Sequence, residues 1–461
     1  MSFDQQFGNL QFKVECSQIH LTRAGEHPLT IHGPGEVWQN EEGVLEFKIF
    51  ALAGLQELIN DISRHRPQGQ LIPEEDFFQL EALEFGGRVW NATRIFPSWR
   101  GGFQERGIVY GVIDRFVYSS PLPSDPTRDY VGMRLKGLLD FPCNSGTEIS
   151  VEVAGRQIHS SSSLNAAFIN NDEYEFEIYH EDNHTVVNYR AALGSTDQNT
   201  PLRMQESLQF ILGAPIAILV TKTYANGNEE TRLTSPFMSK GSCRMPPPIG
   251  FRKIDESGSV WTLFQQYFAY VRTCAEDGWH PISKQVGSAL ESSAASIDAE
   301  VLSLAVATEG LAEQCFPNYG AVSGETVEDI DAAMAAISQI ETLAEHLRPR
   351  IEGALNAMRQ ARNSDRIREY LRQVGLPNRL YRSWSRLRNT SAHGGGTGGR
   401  NIAELLQLRA EVVFLFYSMI LSTIGFSGRR TDYSTPGWPS RNWPPPTPEP
   451  PEPNEDVAPN A

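Results

Sequence analysis

From Gln285 to Leu347 the chain has no lysine or arginine, and from Arg348 to Arg409 it has no lysine. Cysteine is also scarce. Five thiols (Cys16, Cys143, Cys243, Cys274, Cys315) are odd in number, scattered and without a CxxC pair. That excludes a zinc-knuckle spacing and a disulfide framework and fits reduced thiols, hence an expected cytoplasmic location. No GxxxxGK[ST] run occurs, so phosphate binding by a Walker loop is excluded. No GxSxG occurs either, which removes the nucleophile elbow of a serine hydrolase. The N-terminus, Met1-Ser2-Phe3-Asp4-Gln5-Gln6, lacks the basic and apolar regions of a secretory leader. The longest apolar stretch, Val412 to Phe426, is shorter than the roughly 20 residues of a membrane span and carries Ser418, Ser422 and Thr423. It is expected to be a buried bundle helix, with no membrane partner.

What is present is unevenly distributed. The 461 residues carry a net charge of −16, which by itself disfavours a polyanionic partner. Yet the lysine-free segment holds thirteen arginines against Glu352, Asp365, Glu369 and Glu404. Two uses are open for them. One is interhelical pairing with the acidic segment, Gln285 to Leu347. The other is phosphate recognition, which a planar guanidinium performs bidentately and an ammonium does not.

The hydrophobic pattern divides the chain into an α+β, multidomain architecture. Residues 1–246 read as a β-rich, sandwich- or barrel-like domain. Leu10–Cys16, Gly43–Ile49, Arg88–Ile95, Gly107–Val117, Val131–Leu139, Ile149–Val153, Glu173–Tyr179 and Thr185–Ala191 all look like strands. Turns are expected at Gly33-Pro34-Gly35 and at Pro121–Pro126. Helices are expected at Leu55–His65 and Pro201–Leu212, the second feeding a strand at Ile216–Val220. Residues 247–426 read as all-α: Ser259–Thr273, Ser283–Phe316, Thr326–Arg362, Asp365–Gln373, Arg379–Ala392 and Asn401–Ile424. The last has an apolar stripe wide enough for more than one neighbour. Residues 427–461, rich in Pro, Ser and Gly, read as a disordered tail.

Two motifs are discounted on context. His180-Glu181-Asp182-Asn183-His184 matches HExxH, but that zinc chemistry needs one helical face, and these residues fall between strand-like runs with Asp182-Asn183 as a turn. No metal site is therefore expected. His393-Gly394-Gly395-Gly396 matches an esterase oxyanion loop without the elbow that such enzymes require.

Arg388-Asn389-Thr390-Ser391-Ala392-His393 remains. Arginine matches phosphate oxygens, and histidine gives and takes protons near neutrality. Residues five apart on a regular helix project about 140° apart. A glycine stop after His393 would free the imidazole to turn toward Arg388.

An Arg-polar-x3-His run late in a helical domain, then glycines and an apolar helix, resembles the HEPN superfamily. Ile297–Leu304 with Ala307–Leu311 is similar to the acidic second helix of its ApeA-type branch, and Glu206–Gly213 to that branch's β-rich leader. The resemblance implies a metal-independent endoribonuclease of anti-phage, abortive-infection type, needing no cofactor. RNA brings its own nucleophile, the 2′-OH, so a protein need only deprotonate it, stabilise the phosphorane and protonate the leaving oxygen. Arg388 is then the expected charge stabiliser, His393 the base or acid, and Asn389 an orienting group. Arg382, Arg386 and Arg400 are expected RNA or phosphate contacts. A homodimer packed through Asn401–Ile424 would supply a second histidine. The leader would sense a phage-derived or small-molecule trigger. The alternatives are a non-catalytic HEPN module that binds RNA, a nucleotide or a protein, and the zinc hydrolase.

Overall fold

The computed structural model of the chain describes residues 3–9, 11–24, 28–62, 71–100, 107–121, 127–153, 156–225, 227–236, 244–251, 258–340, 342–392 and 402–445. It forms two compact units. One comprises Met1–Gln205, Ile216–Met238 and Arg252–Glu256; the other Glu206–Pro215, Ser239–Phe251 and Ser257–Ala461. The N-terminal half is a large antiparallel sheet and the C-terminal half is helical, an α+β architecture.

Short helices α1 (Phe3–Gly8) and α2 (Leu55–Ile62) accompany the strands of the first unit. Strands β1 (Lys13–Arg23), β2 (Leu29–Gln39) and β3 (Leu45–Ala51) form a meander, followed by β4 (Phe78–Glu84) and β5 (Val89–Ile95). Then come β6 (Ser98–Arg100), β7 (Gly107–Ile113), β8 (Arg115–Pro121), β9 (Asp129–Lys136) and β10 (Ser145–Val153). The last are β11 (Arg156–Asn170), β12 (Tyr174–Glu181), β13 (His184–Ala191), β14 (Ile218–Ala225) and β15 (Asn228–Thr234). They make one sheet in the order β10-β11-β12-β13-β9-β14-β15-β8-β5-β4-β1-β2-β3-β7-β6. The β15–β8 ladder, from Asn228 opposite Pro121 to Thr234 opposite Arg115, joins its two halves.

Alternation sets the inner face. Leu45, Phe47, Ile49 and Ala51 of β3 are buried, as are Tyr174, Phe176 and Ile178 of β12. Period-two burial of this kind is what the sequence pattern demands of a one-sided sheet.

The turn expected at Gly33-Pro34-Gly35 is instead the middle of β2. A Cβ at position 33 would lie 2.0 Å from the Phe50 carbonyl oxygen, and one at 35 would lie 2.1 Å from that of Lys48. The glycines therefore let β3 approach closely. Opposite them the β1 register slips between Cys16 and Ile19, a bulge of the kind that tolerates proline in a strand. The Gly107–Val117 run likewise divides into β7 and β8.

Helix α3 (Thr200–Leu212) is divided between the units: Glu206–Pro215 belong to the helical unit, whereas Ile216–Met238 return to the sheet unit. Phe210 stacks on Tyr267 at 4.3 Å, and Glu206 Oε1 accepts from the His280 backbone N–H at 2.7 Å. Apolar burial there outweighs sequence proximity to the strands.

The helical unit continues with α4 (Ser259–Arg272), α5 (Pro281–Ser292) and α6 (Ile297–Cys315). Next are α7 (Gly324–Ser338), α8 (Arg348–Met358), α9 (Asn363–Val374), α10 (Arg379–Ala392) and α11 (Ile402–Thr423). Two expected long helices are each broken. The Ser283–Phe316 stretch stops at Ser293–Ser296, where Ser296 caps α6 by accepting from Ala299 N–H, a strong start signal. The Thr326–Arg362 stretch breaks because Arg348 donates to the carbonyls of Ile337 (2.7 Å) and Ile340 (2.9 Å), closing the end of α7.

Helix α6 packs on α5, α9, α10 and α11. Helix α11 is long and apolar enough to cross a membrane, but its stripe is used inside the unit. Leu405, Leu408 and every residue from Val412 to Leu421 are buried, whereas Ile402 and Leu406 are exposed.

The tail expected from residue 427 begins instead with a hairpin, β16 (Gly428–Thr431) and β17 (Ser440–Trp443). Arg430 lies between the rings of Phe414 and Trp443, 3.9 Å from each centroid, and donates to Ser418 Oγ at 2.6 Å. Tyr433 donates to the Pro247 carbonyl at 2.6 Å. The aromatic residues anchor a segment whose Pro, Ser and Gly content reads as loop. Residues 446–461 of the expected tail lie outside the described residues.

Candidate functional site

Helix α10 owes its position to a narrow apolar face. Leu380, Trp384 and Leu387 are buried, and the Trp384 indole donates to the Ala305 carbonyl of α6 at 3.1 Å. On the α11 side, Ser383 donates to Glu411, and Arg379 reaches Ser434 Oγ at 3.0 Å. The rest of α10 is arginine-rich and exposed. At about 100° per residue, Arg382, Arg386 and Asn389 fall within about 60° of one another, and Arg388 lies about 120° from Arg382.

The expected site residues therefore separate. Arg382, Arg386 and Asn389 share an exposed ridge. Arg386 pairs with Glu404 at 2.7 Å, and Asn389 Nδ2 is 3.4 Å from Ser385 Oγ. Arg388 turns to the flank and binds Glu309 of α6. His393, Arg400 and Gly394–Gly396 lie outside the described residues.

Of the two uses foreseen for the arginines, pairing with the acidic segment is present for some of them. Arg359–Asp331, Arg388–Glu309 and Arg409–Glu300 tie the basic segment to the acidic one. Other pairs are local, such as Arg372–Glu369, where the guanidinium and Gln373 hold the Glu369 carboxyl down at about 2. Arg368 lies over the Tyr381 ring, 4.2 Å from its centroid, and donates to the Tyr381 hydroxyl at 2.7 Å. The charge pattern foresaw pairing between the two segments, but which residues meet is set by how the helices pack.

The HExxH residues lie on the β12–β13 hairpin, with Glu181 opposite His184. His180 Nε2 contacts the Leu139 carbonyl at 2.8 Å, whereas His184 is buried. Burial, aided by Arg134, lowers the His184 pKa. Among the described residues no cluster of His, Cys, Asp or Glu could hold a metal ion. Burial also pushes the Cys16 thiol up to about 12 and raises that of Cys315. Neither is then a ready thiolate nucleophile.

One further feature escaped sequence reading. On the exposed face of the sheet, His32, His20, Glu81 and Asn91 stand in one cross-strand row over β2, β1, β4 and β5. With Thr22, Gln79 and Thr93, three of them border a shallow depression of about 290 Å³. Their sequence separations hide a row that only strand register creates.

Across family models, curated proteins and solved structures, nothing matches this chain.

Proposed function

We propose that the chain is a metal-independent endoribonuclease of the HEPN type, acting in anti-phage, abortive-infection defence. The observation that carries this reading is the end of α10: Arg388 and Asn389 are exposed there, one turn before the sequence position of His393. An arginine-only ridge, with Arg382 and Arg386, leads up to them on an otherwise acidic protein.

In the proposed reaction a base takes the proton of an RNA 2′-OH, and that oxygen attacks the adjacent phosphorus. The P–O bond to the 5′-oxygen breaks, and an acid protonates the leaving oxygen. The products are a 2′,3′-cyclic phosphate and a 5′-OH, with no oxidation or reduction. His393 serves as base or acid and Arg388 compensates charge on the non-bridging oxygens. Asn389 orients the phosphate or the imidazole, and Arg400 extends the phosphate contacts. One imidazole performs one transfer at a time, so a homodimer with a composite site supplies the second. Ile402 and Leu406 are large apolar side chains of α11 that stay exposed for such packing. The bundle is read as HEPN-type and the strand-rich unit as a barrel-like sensor of a phage-derived or small-molecule trigger.

The test is incubation of the purified chain with an RNA pool in EDTA, with end-group analysis. Cleavage leaving 2′,3′-cyclic phosphates, and lost in His393→Ala, is expected. Full activity in that variant would overturn the assignment. The Arg388–Glu309 pair favours a second reading, a non-catalytic RNA- or nucleotide-binding module, because the arginine already has an anion. RNA binding that persists in His393→Ala, with no pool cleaved by the wild type, would select it.

A further inference from the structure

We infer that the α9–α10 face recognises unpaired RNA, with one base stacked on the guanidinium of Arg368. The inference rests on the RNA reading above and adds its substrate class. Arg368 lies over Tyr381, with Cζ 4.2 Å from the ring centroid, and is held there by the 2.7 Å bond to the Tyr381 hydroxyl. Asp365 touches it only at 3.5 Å. Tyr381 is itself held against Trp384, whose ring centroid is 5.6 Å away, and Trp384 is buried and bonded to α6. The platform therefore rests on the core of the helical unit.

The side chain of Arg368 remains 55% exposed. Tyr381 thus holds a cation that is still more than half open to solvent. Arg430 shows the contrasting arrangement, a buried arginine 3.9 Å from two ring centroids with little surface left for a ligand. A planar cation already immobilised and still exposed can take a base with little further loss of freedom. Arg382 follows Tyr381 directly and Arg386 comes one turn later, both exposed. A strand with its base on Arg368 would carry its phosphates along these two. Bases inside a duplex are stacked on each other and have no free face, so the platform selects single strands.

The test uses the full chain carrying His393→Ala, so that binding is read without cleavage. Fluorescence anisotropy compares a labelled single-stranded RNA, an abasic strand of equal length and a duplex of the same sequence. The single strand should bind best, and the abasic strand at least about fivefold more weakly. Arg368→Lys keeps the charge and removes the plane; it should weaken single-strand binding by about the same factor and leave the abasic strand unaffected. Tyr381→Leu should reproduce that loss, with a thermal melt to confirm folding. Equal binding of the intact and abasic strands, or an Arg368→Lys chain that binds as before, overturns the stacking site and leaves the nuclease reading standing. A chain that binds no RNA of any form overturns both.

Discussion

Arg388 of α10 closes on Glu309 of α6, 79 positions earlier in the chain. Trp384 bonds to Ala305 across the same offset of 79. The two contacts are successive turns of one ladder, so α6 and α10 run in the same direction. The buried rung, Trp384, positions the helix, and the ionic rung stands at its rim. There Arg388 is 45% exposed and Glu309 only 18%. A guanidinium at that rim is reachable by phosphate but already holds a carboxylate.

Glu309→Gln tests what the carboxylate does. The amide keeps the shape and removes the charge that, in the proposed RNA reading, would compete with phosphate. A severalfold gain in RNA affinity is expected, with stability changed by no more than about 1 kcal/mol, as for a half-exposed pair. Titration of labelled RNA and a denaturant melt read the two quantities. Weaker binding would mean that Glu309 holds Arg388 in its working position and does not compete with the substrate.

Arg430 should matter for stability rather than for ligand binding. Burial lowers its pKa to about 9, which leaves it charged at neutral pH between Phe414 and Trp443. Arg430→Ala removes two ring contacts and the bond to Ser418, and opens a cavity. The expected cost is about 2–4 kcal/mol, measured by chemical denaturation. A loss under about 1 kcal/mol would show that the hairpin adds little to the helical unit.

How much of this was legible depends on the range of each contact. The limits of α10, Arg379 to Ala392, follow from local periodicity, and the structure places the helix there. The alternating strands β3, β5, β12 and β13 are also local signals. Gly33-Pro34-Gly35 misleads because the usual meaning of those residues is a turn. Their use inside β2 depends on a bulge in β1 and on close approach by β3. The 428–443 hairpin misleads for a related reason: its prolines and serines are local, but its anchors, Phe414 and Ser418, lie on α11. Glu206 belongs with His280, 74 positions on, and no window on the strands reveals it. At the candidate site, the concentration of arginines without lysine was readable. The partner of Arg388 and the stacking of Arg368 on Tyr381 were not.

His184 should make stability depend on pH. Its folded pKa is depressed, chiefly by burial and next by Arg134, so the unfolded chain takes up a proton first as pH falls. Its contribution is therefore complete above the unfolded value of about 6.5, and is lost as pH drops from there through the folded value. Melting curves at about pH 7.5 and about pH 5.5 bracket the upper part of that window. The wild type should lose more stability across it than His184→Gln, whose amide does not titrate. Equal losses would assign the dependence to other groups.

Arg409 separates the two uses of arginine. Arg409 binds Glu300 through Nε at 2.7 Å, and its second nitrogen contacts the same oxygen. Both side chains are mostly buried, 18% and 13% exposed. Burying two charges is costly, so removing one partner should hurt more than the intact pair helps. Arg409→Met should destabilise by about 2–3 kcal/mol, because Glu300 then keeps its charge with no cation beside it. Adding Glu300→Met to that variant should restore most of the loss, since two apolar side chains of similar length refill the space. RNA affinity should stay level throughout, because Arg409 is spent on folding. If affinity falls with Arg409→Met and the double variant does not regain it, Arg409 belongs with Arg382 and Arg386 on the binding ridge. The acidic segment would then be a counter-surface to the nucleic acid rather than a brace for the helices.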